Sequence, residues 1–183
     1  MKTKIKQSIA VLTAFAIVCT ALLCMPAIGQ TNTKLTDAEI ASVAVTANQI
    51  DIEYAQIAQK KSKNADVLKF AETMAKDHQA VIDKAVALAT KLGVTPKDNA
   101  TTKSFLAGAV KTKAMLNSKN GNAFNKAYID NEVAYHKAAI NEVENVLIPN
   151  ATNSELKSLL QSALPLFKAH LAHAEMVQKQ ISK

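Results

Sequence analysis

The chain has 183 residues, 49% of them apolar, and carries 22 basic side chains against 15 acidic ones, a formal charge of +7. Every basic residue is a lysine and tryptophan is absent. Proteins that read nucleic acids lean on arginine forks and aromatic stacking, so the composition speaks against a nucleic-acid partner.

The first thirty residues read as a leader. Lys2, Lys4 and Lys6 precede an uncharged stretch from Ile9 to Met25, and Pro26 stands just before the small-x-small site Ala27-Ile28-Gly29. This three-part pattern predicts a secretory signal peptide over residues 1–29, cleaved after Gly29, and a periplasmic or secreted protein. The competing reading is an uncleaved membrane anchor, but no positive stop-transfer cluster follows the apolar run. A lipid anchor on Cys19 or Cys24 is disfavoured by the bulky Val18 and Leu23 before them. Both cysteines lie in the leader, so the mature chain has no disulfide or thiolate site. Its stability must come from an apolar core, for which residues 30–183 are enough to make one domain. Without the three leader lysines the balance is 19 basic to 15 acidic groups, or +4. That excess predicts a solvated surface with weak or no membrane contact after cleavage.

Thr36 followed by Glu39 is a capping box that opens a helix running to about Lys61. Along it Ile40, Val43, Ala44, Ala47, Ile50, Tyr54, Ile57 and Ala58 recur at helical spacing. A second helix runs from about Asn64 to Gly93, with Pro96 just beyond as a further stop signal. A shorter helix is predicted from about Thr102 to Leu116, ended by the polar run from Asn117 to Gly121. A long helix follows from about Ala123 to Leu147, closed by Pro149-Asn150. The last helix, from Asn153 or Ser154 to about Ile181, contains Pro165, which should kink it or remove one backbone bond. No stretch alternates with period two for long enough to be a strand.

Four helices of about 25 residues predict an all-α four-helix bundle. Short linkers make the first two long helices antiparallel neighbours, and likewise the last two. The stretch from Gly93 to Gly121 is long enough to cross the bundle end to end, with the short helix inside it. A long middle crossover is the ferritin-like connection, and it makes the second and third long helices parallel.

The periodicity also shows which polar side chains interrupt the apolar faces. His78 lies one turn from Met74 and Ile82; Glu132 and His136, four apart, share the stripe of Tyr128, Tyr135, Ala139 and Val143. His170 lies among Ala163, Phe167, Ala174 and Val177, and Asp51 beside Ala47, Tyr54 and Ala58. Every long helix thus aims a potential ligand at the bundle axis, with Glu53, Asp77 and His173 at stripe edges. Imidazoles and carboxylates converging in a dry bundle are the materials of a site for a divalent metal such as zinc, iron, copper or manganese. The alternative is a buried polar network in which the histidines bond to Asp51, Glu132 and the tyrosine hydroxyls, fixing helix register without chemistry. The diiron signature, a glutamate and a histidine three apart on each of two helices, is missing, which disfavours an oxygen-activating diiron enzyme. No metalloprotease, phosphate-loop or nucleophile-elbow motif is present either.

Taken in order, Asp51-Ile-Glu53-Tyr-Ala-Gln-Ile-Ala58, Val67-Leu-Lys-Phe70-Ala71, Met74-Ala-Lys-Asp77-His78, Phe124 with Tyr128 and His136, and Leu164-Pro165 with His170-Leu171 resemble the bacterial family called domain of unknown function 4142. The resemblance spans about Asp37 to Ile181 and implies an exported ferritin-like helical protein of unestablished activity. It places the family's first-helix acid on Asp51, its Asp-His pair on Asp77 and His78, and its later histidines on His136 and His170. Aspartate where glutamate is usual at Asp51 shortens the reach of that side chain. Two functions follow as expectations: a metal-binding protein using His78, His136 and His170 with Glu132 and Asp51, or a non-enzymatic envelope protein with a structural polar interior and a protein partner.

Overall fold

The structure is a computed structural model that describes residues 34–182; the leader, its cleavage site and both cysteines lie outside the described residues. Helix α1 spans Asp37–Lys61, α2 Ala65–Leu92, α3 Ala100–Asn117 and α4 Gly121–Glu142. A π-helical turn, Val143–Leu147, extends α4 and leads into the single turn α5, Ile148–Asn150, before α6, Ser154–Ile181. No strand occurs among the described residues.

Local chemistry sets the ends of these helices. The Thr36 hydroxyl accepts from the Glu39 N–H at 3.3 Å while the Glu39 carboxylate accepts from the Thr36 N–H at 2.9 Å, so the capping box forms on both sides. Asn64, Asn99 and Asn153 cap α2, α3 and α6 with their side-chain oxygens. Gly93 ends α2 in the left-handed conformation, φ 63°, which a residue with a Cβ adopts at a cost. Pro165 does not interrupt α6, which runs on for four turns beyond it.

Helices α1 and α2 pack along their lengths as one antiparallel hairpin and α4 with α6 as the other, with α2 against α6 and α1 against α4. Two apolar clusters fill the bundle. One joins the end of α1 (Tyr54, Ala58), the start of α2 (Val67, Phe70), the start of α4 (Phe124, Tyr128) and the end of α6 (Ala174, Val177). The other joins the start of α1 (Ile40, Val43), the π turn (Val143, Leu147) and the start of α6 (Leu156, Leu160). Val67 and Phe124 therefore lie at the same end, so α2 and α4 run parallel and the connection between them crosses the bundle. Helix α3 makes that crossing along α1. It is pinned at the outset by Asn99 Nδ2 to the Glu39 carbonyl (3.1 Å) and Ser42 to Asp98 (3.2 Å), and at its far end by Lys61 to the Asn117 carbonyl (2.6 Å). Lys113 pairs with Glu53 between them at 2.6 Å, which accounts for that stripe-edge acid. This is the ferritin-like connection expected from the sequence.

Two boundaries differ from the sequence reading. Helix α3 starts two residues earlier than Thr102, because Asn99 caps it. Helix α4 does not end in a simple proline stop: the Ile148 N–H bonds to the Val143 carbonyl, five residues back, and Pro149 falls in the first turn of α5, where its missing N–H costs nothing.

Candidate metal centre

Asp51, His78, Glu132, His136 and His170 come together midway along the bundle, between the two apolar clusters. They are 0%, 4%, 0%, 1% and 3% exposed. The middle turns of all four long helices supply them, as the helical spacing predicts. One ring nitrogen from each of His78, His136 and His170 lies within 4.8 Å of the other two, and one atom from each of Asp51, Glu132 and His136 forms a second such group. His136 belongs to both.

Each histidine is tied down on one side and bare on the other. His78 Nδ1 meets Asn48 Oδ1 at 2.7 Å, His136 Nδ1 meets its own helix's Glu132 carbonyl at 3.0 Å, and His170 Nε2 meets Asp77 Oδ2 at 3.0 Å. The Asn48 amide nitrogen donates to the Ala44 carbonyl at 2.7 Å, which fixes its oxygen toward His78. All three partners are acceptors, so the tied nitrogen carries the proton and the other presents a lone pair, an assignment made from the network. Those other nitrogens, His78 Nε2, His136 Nε2 and His170 Nδ1, are buried without a hydrogen-bond partner, as are both carboxylate oxygens of Asp51 and of Glu132. Asp51 Oδ2 stands 3.5 Å from His78 Nε2 and 3.7 Å from His136 Nε2, and Glu132 Oε2 stands 3.7 Å from His136 Nδ1. These separations are too long for good hydrogen bonds.

Of the alternative polar network, the approaches of Asp51 and Glu132 to the histidines are present at these longer separations, and Tyr128 and Tyr135 take no part. Tyr135 donates to the Ala47 carbonyl at 2.8 Å, the Tyr128 hydroxyl is buried without a partner, and neither reaches a histidine. Asp77, at a stripe edge beside His78, meets His170 of the neighbouring α6. His173 lies outside the cluster, edge-on to Phe70 with ring centroids 5.1 Å apart. Asn48 was not singled out from the sequence; the available signal was its position one turn before Asp51–Ile52 on the same apolar face.

Burial governs the protonation of the cluster. Desolvation pushes the Asp51 carboxyl up to about 8. It raises Glu132 well above the usual carboxylate range, with the neighbouring Asp51 adding to the rise and the Asn131 amide opposing it. Desolvation lowers His136 to about 4, the nearby His170 helping and the Glu132 carbonyl opposing. It takes His78 well below its ordinary value, with His136 and His170 adding to the drop, and it lowers His170 against the opposition of Asp77. The imidazoles are therefore neutral near pH 7, the form that binds metal.

A slot adjoins the cluster. It holds a cavity of about 70 Å³, reaches from Asp51, His78 and His136 to Asp37, Leu92 and Val94 at the bundle's end, and is otherwise almost wholly apolar. Among the described residues no helix is long and apolar enough to cross a membrane.

An all-helical bundle with a crossing middle connection and an interior of facing histidines and carboxylates defines the class: a ferritin-like bundle with a candidate metal centre. Within that class the chain belongs to the DUF4142 family, a domain of unknown function whose model matches residues 23–177. Two solved structures share the fold. A DUF305 protein from Streptomyces coelicolor, described as secreted, aligns at TM-score 0.67 and 10% identity over 80% of this chain and 93% of its own. CopM in its Cu(II)-bound form aligns at TM-score 0.60 and 15% identity over 80% of this chain and 98% of its own. No curated protein matches the chain by sequence.

Proposed function

We propose that this is an exported metal-binding protein that holds a late first-row divalent cation between His78, His136 and His170, with Asp51 and Glu132 as carboxylate ligands or as acceptors beside them. The observation that carries the reading is the clustering of buried, unpartnered donor atoms. Three lone-pair nitrogens and four carboxylate oxygens are buried without a hydrogen-bond partner, on residues that form two groups with ligand atoms within 4.8 Å of one another. Leaving such groups bare costs several kcal/mol, and a four-coordinate cation takes up the three nitrogens and one carboxylate oxygen. The spacing agrees: donors bound at roughly 2.0–2.1 Å around a tetrahedral ion lie about 3.4 Å apart, close to the 3.5 and 3.7 Å that separate Asp51 from its two histidines.

Asn48, the Glu132 carbonyl and Asp77 then act as the outer partners that fix each imidazole's tautomer and raise its basicity. Zinc, iron, copper and manganese all accept nitrogen and oxygen donors. Three imidazoles favour copper(II) on affinity, since it heads the divalent series. The Cu(II)-bound neighbour shares the fold, and at its low identity it adds only that a bundle of this shape accommodates a copper site in another protein. The leader pattern supports a periplasmic or secreted location for this role.

Dialysed protein should retain one equivalent of metal by elemental analysis, and added metal should raise the melting temperature by mass action. His136→Ala should abolish most of that rise, because His136 is common to both ligand groups, whereas His173→Ala should leave it. A wild-type melting temperature that copper, zinc, iron and manganese all fail to move would leave the cluster as core packing and return the function to an envelope protein with a structural interior.

A further inference from the structure

The apolar slot beside the cluster has a distinct relation to it. Only Asp51, His78 and His136 of the five candidate ligands line it; Glu132 and His170 do not. Its walls come from all the long helices, and small side chains keep it open: Ala44 and Ala47 on α1, Ala85 and Ala89 on α2, Ala139 on α4 and Ala163 on α6. From Asp51 to Asp37 along α1, fourteen residues at 1.5 Å rise give a path of roughly 20 Å to the end of the bundle. At that end Leu88, Leu92, Val94 and Leu159 are half-buried rather than sealed. Small residues alone would mean only loose packing. Here three buried side chains, each with an unpartnered polar atom, form the slot's floor.

We infer that the slot admits a second ligand to the metal: an uncharged molecule of two or three heavy atoms, such as a neutral diatomic, bound at the coordination position facing Asp51, His78 and His136. The inference rests on the metal reading of the same residues. A cation in the cluster would be reached from the slot through Asp51, His78 and His136, while Glu132 and His170, which do not line it, would hold the cation away from the slot. The slot then selects what reaches it. Above its polar floor the slot's walls are almost wholly apolar, and a cavity of about 70 Å³ so walled favours small apolar guests over hydrated ions. An anion would have to shed its water along the whole path without a compensating hydrogen bond, a cost of many kcal/mol. Size sets the other limit, since an engineered cavity that takes benzene is about twice as large.

The test uses the purified protein loaded with cobalt(II), whose visible bands report a change in coordination, exposed separately to nitric oxide and to azide. Nitric oxide should shift the bands and azide, in about hundred-fold excess, should not. Ala44→Leu and Ala85→Leu, each two turns from the nearest ligand, narrow the slot from opposite walls. Each should retain cobalt with affinity within about twofold of wild type while slowing nitric oxide association at least about tenfold. Cobalt retention with azide binding as readily as nitric oxide overturns the inference and spares the metal reading. So does a nitric oxide rate unchanged in a variant that still holds cobalt. A wild type that retains no metal overturns both. Because the comparison of the two probes needs only wild type, a variant that fails to fold does not remove the test.

Discussion

At the residue scale, the central fact is that each inward histidine is held by an acceptor on its outer nitrogen. Asn48 and Asp77 are the two of these that a side-chain substitution can remove. Asn48→Ala and Asp77→Ala should each weaken metal binding by about 10–100-fold, the usual cost of losing an outer partner of a ligating histidine. Asp77 is 30% exposed at its side chain, so its loss should cost little stability, and titration calorimetry on a folded variant can read the affinity directly. Unchanged affinity in both would show that the tautomers are not being set from outside. That these five side chains point inward was legible in the sequence because helical spacing alone decides whether a polar side chain interrupts an apolar face. Their outer partners were not. Asp77 meets His170 from a different helix, and which helices lie side by side depends on packing that no single stripe records.

At the scale of the elements, chain punctuation carried most of the information. The Thr36–Glu39 box and the Gly93 stop are local chemistry and read straight off the sequence, whereas the Asn99 cap, which starts α3 two residues before Thr102, was missed. Thr36→Ala should destabilise the protein by about 1 kcal/mol in urea unfolding, because it removes one of two reciprocal cap bonds. No measurable shift in the midpoint would mean the box is redundant with the Asp37 contacts, where the carboxylate accepts from the backbone N–H groups of Thr152 and Asn153 at 2.8 and 3.0 Å. The π turn was hidden. One added residue in Val143–Leu147 shifts the hydrogen bonding to five residues back without changing composition, and a helical-wheel reading absorbs it as noise. Val143 and Leu147, at the two ends of this turn, both face the core and line the slot.

At the scale of the molecule, the buried charges give metal-free protein a pH optimum. Asp51 has a folded value, about 8, above its unfolded value. Its stabilising share is full below the unfolded value and is lost as pH rises through about 8, and Glu132 acts in the same direction. The histidines have lowered values, so their share is present above their unfolded value and is lost as pH falls, for His136 through about 4. Between pH 6.5 and 8 only the acids change, and stability should fall by about 1.4 kcal/mol per pH unit for each acid that stays protonated in the fold. Bound metal ionises both carboxyls and should flatten that decline. Chemical denaturation of metal-free and metal-loaded protein at pH 6.5 and 8 checks it; a flat metal-free profile would mean the acids are already ionised.

The position of the cluster bears on how the bundle comes apart. Five polar groups sit across the middle of all four long helices and separate an apolar block at one end from an apolar block at the other, with Phe105 of α3 packed against both. Without an ion the buried unpartnered groups at the joint between the blocks weaken the coupling of one block to the other. An ion bound to all four helices acts as a rivet that makes the two blocks report to one another. The calorimetric enthalpy of the metal-free protein should accordingly exceed its van't Hoff enthalpy, and the two should converge on metal addition. Equal enthalpies in both states would show that the blocks already unfold as one.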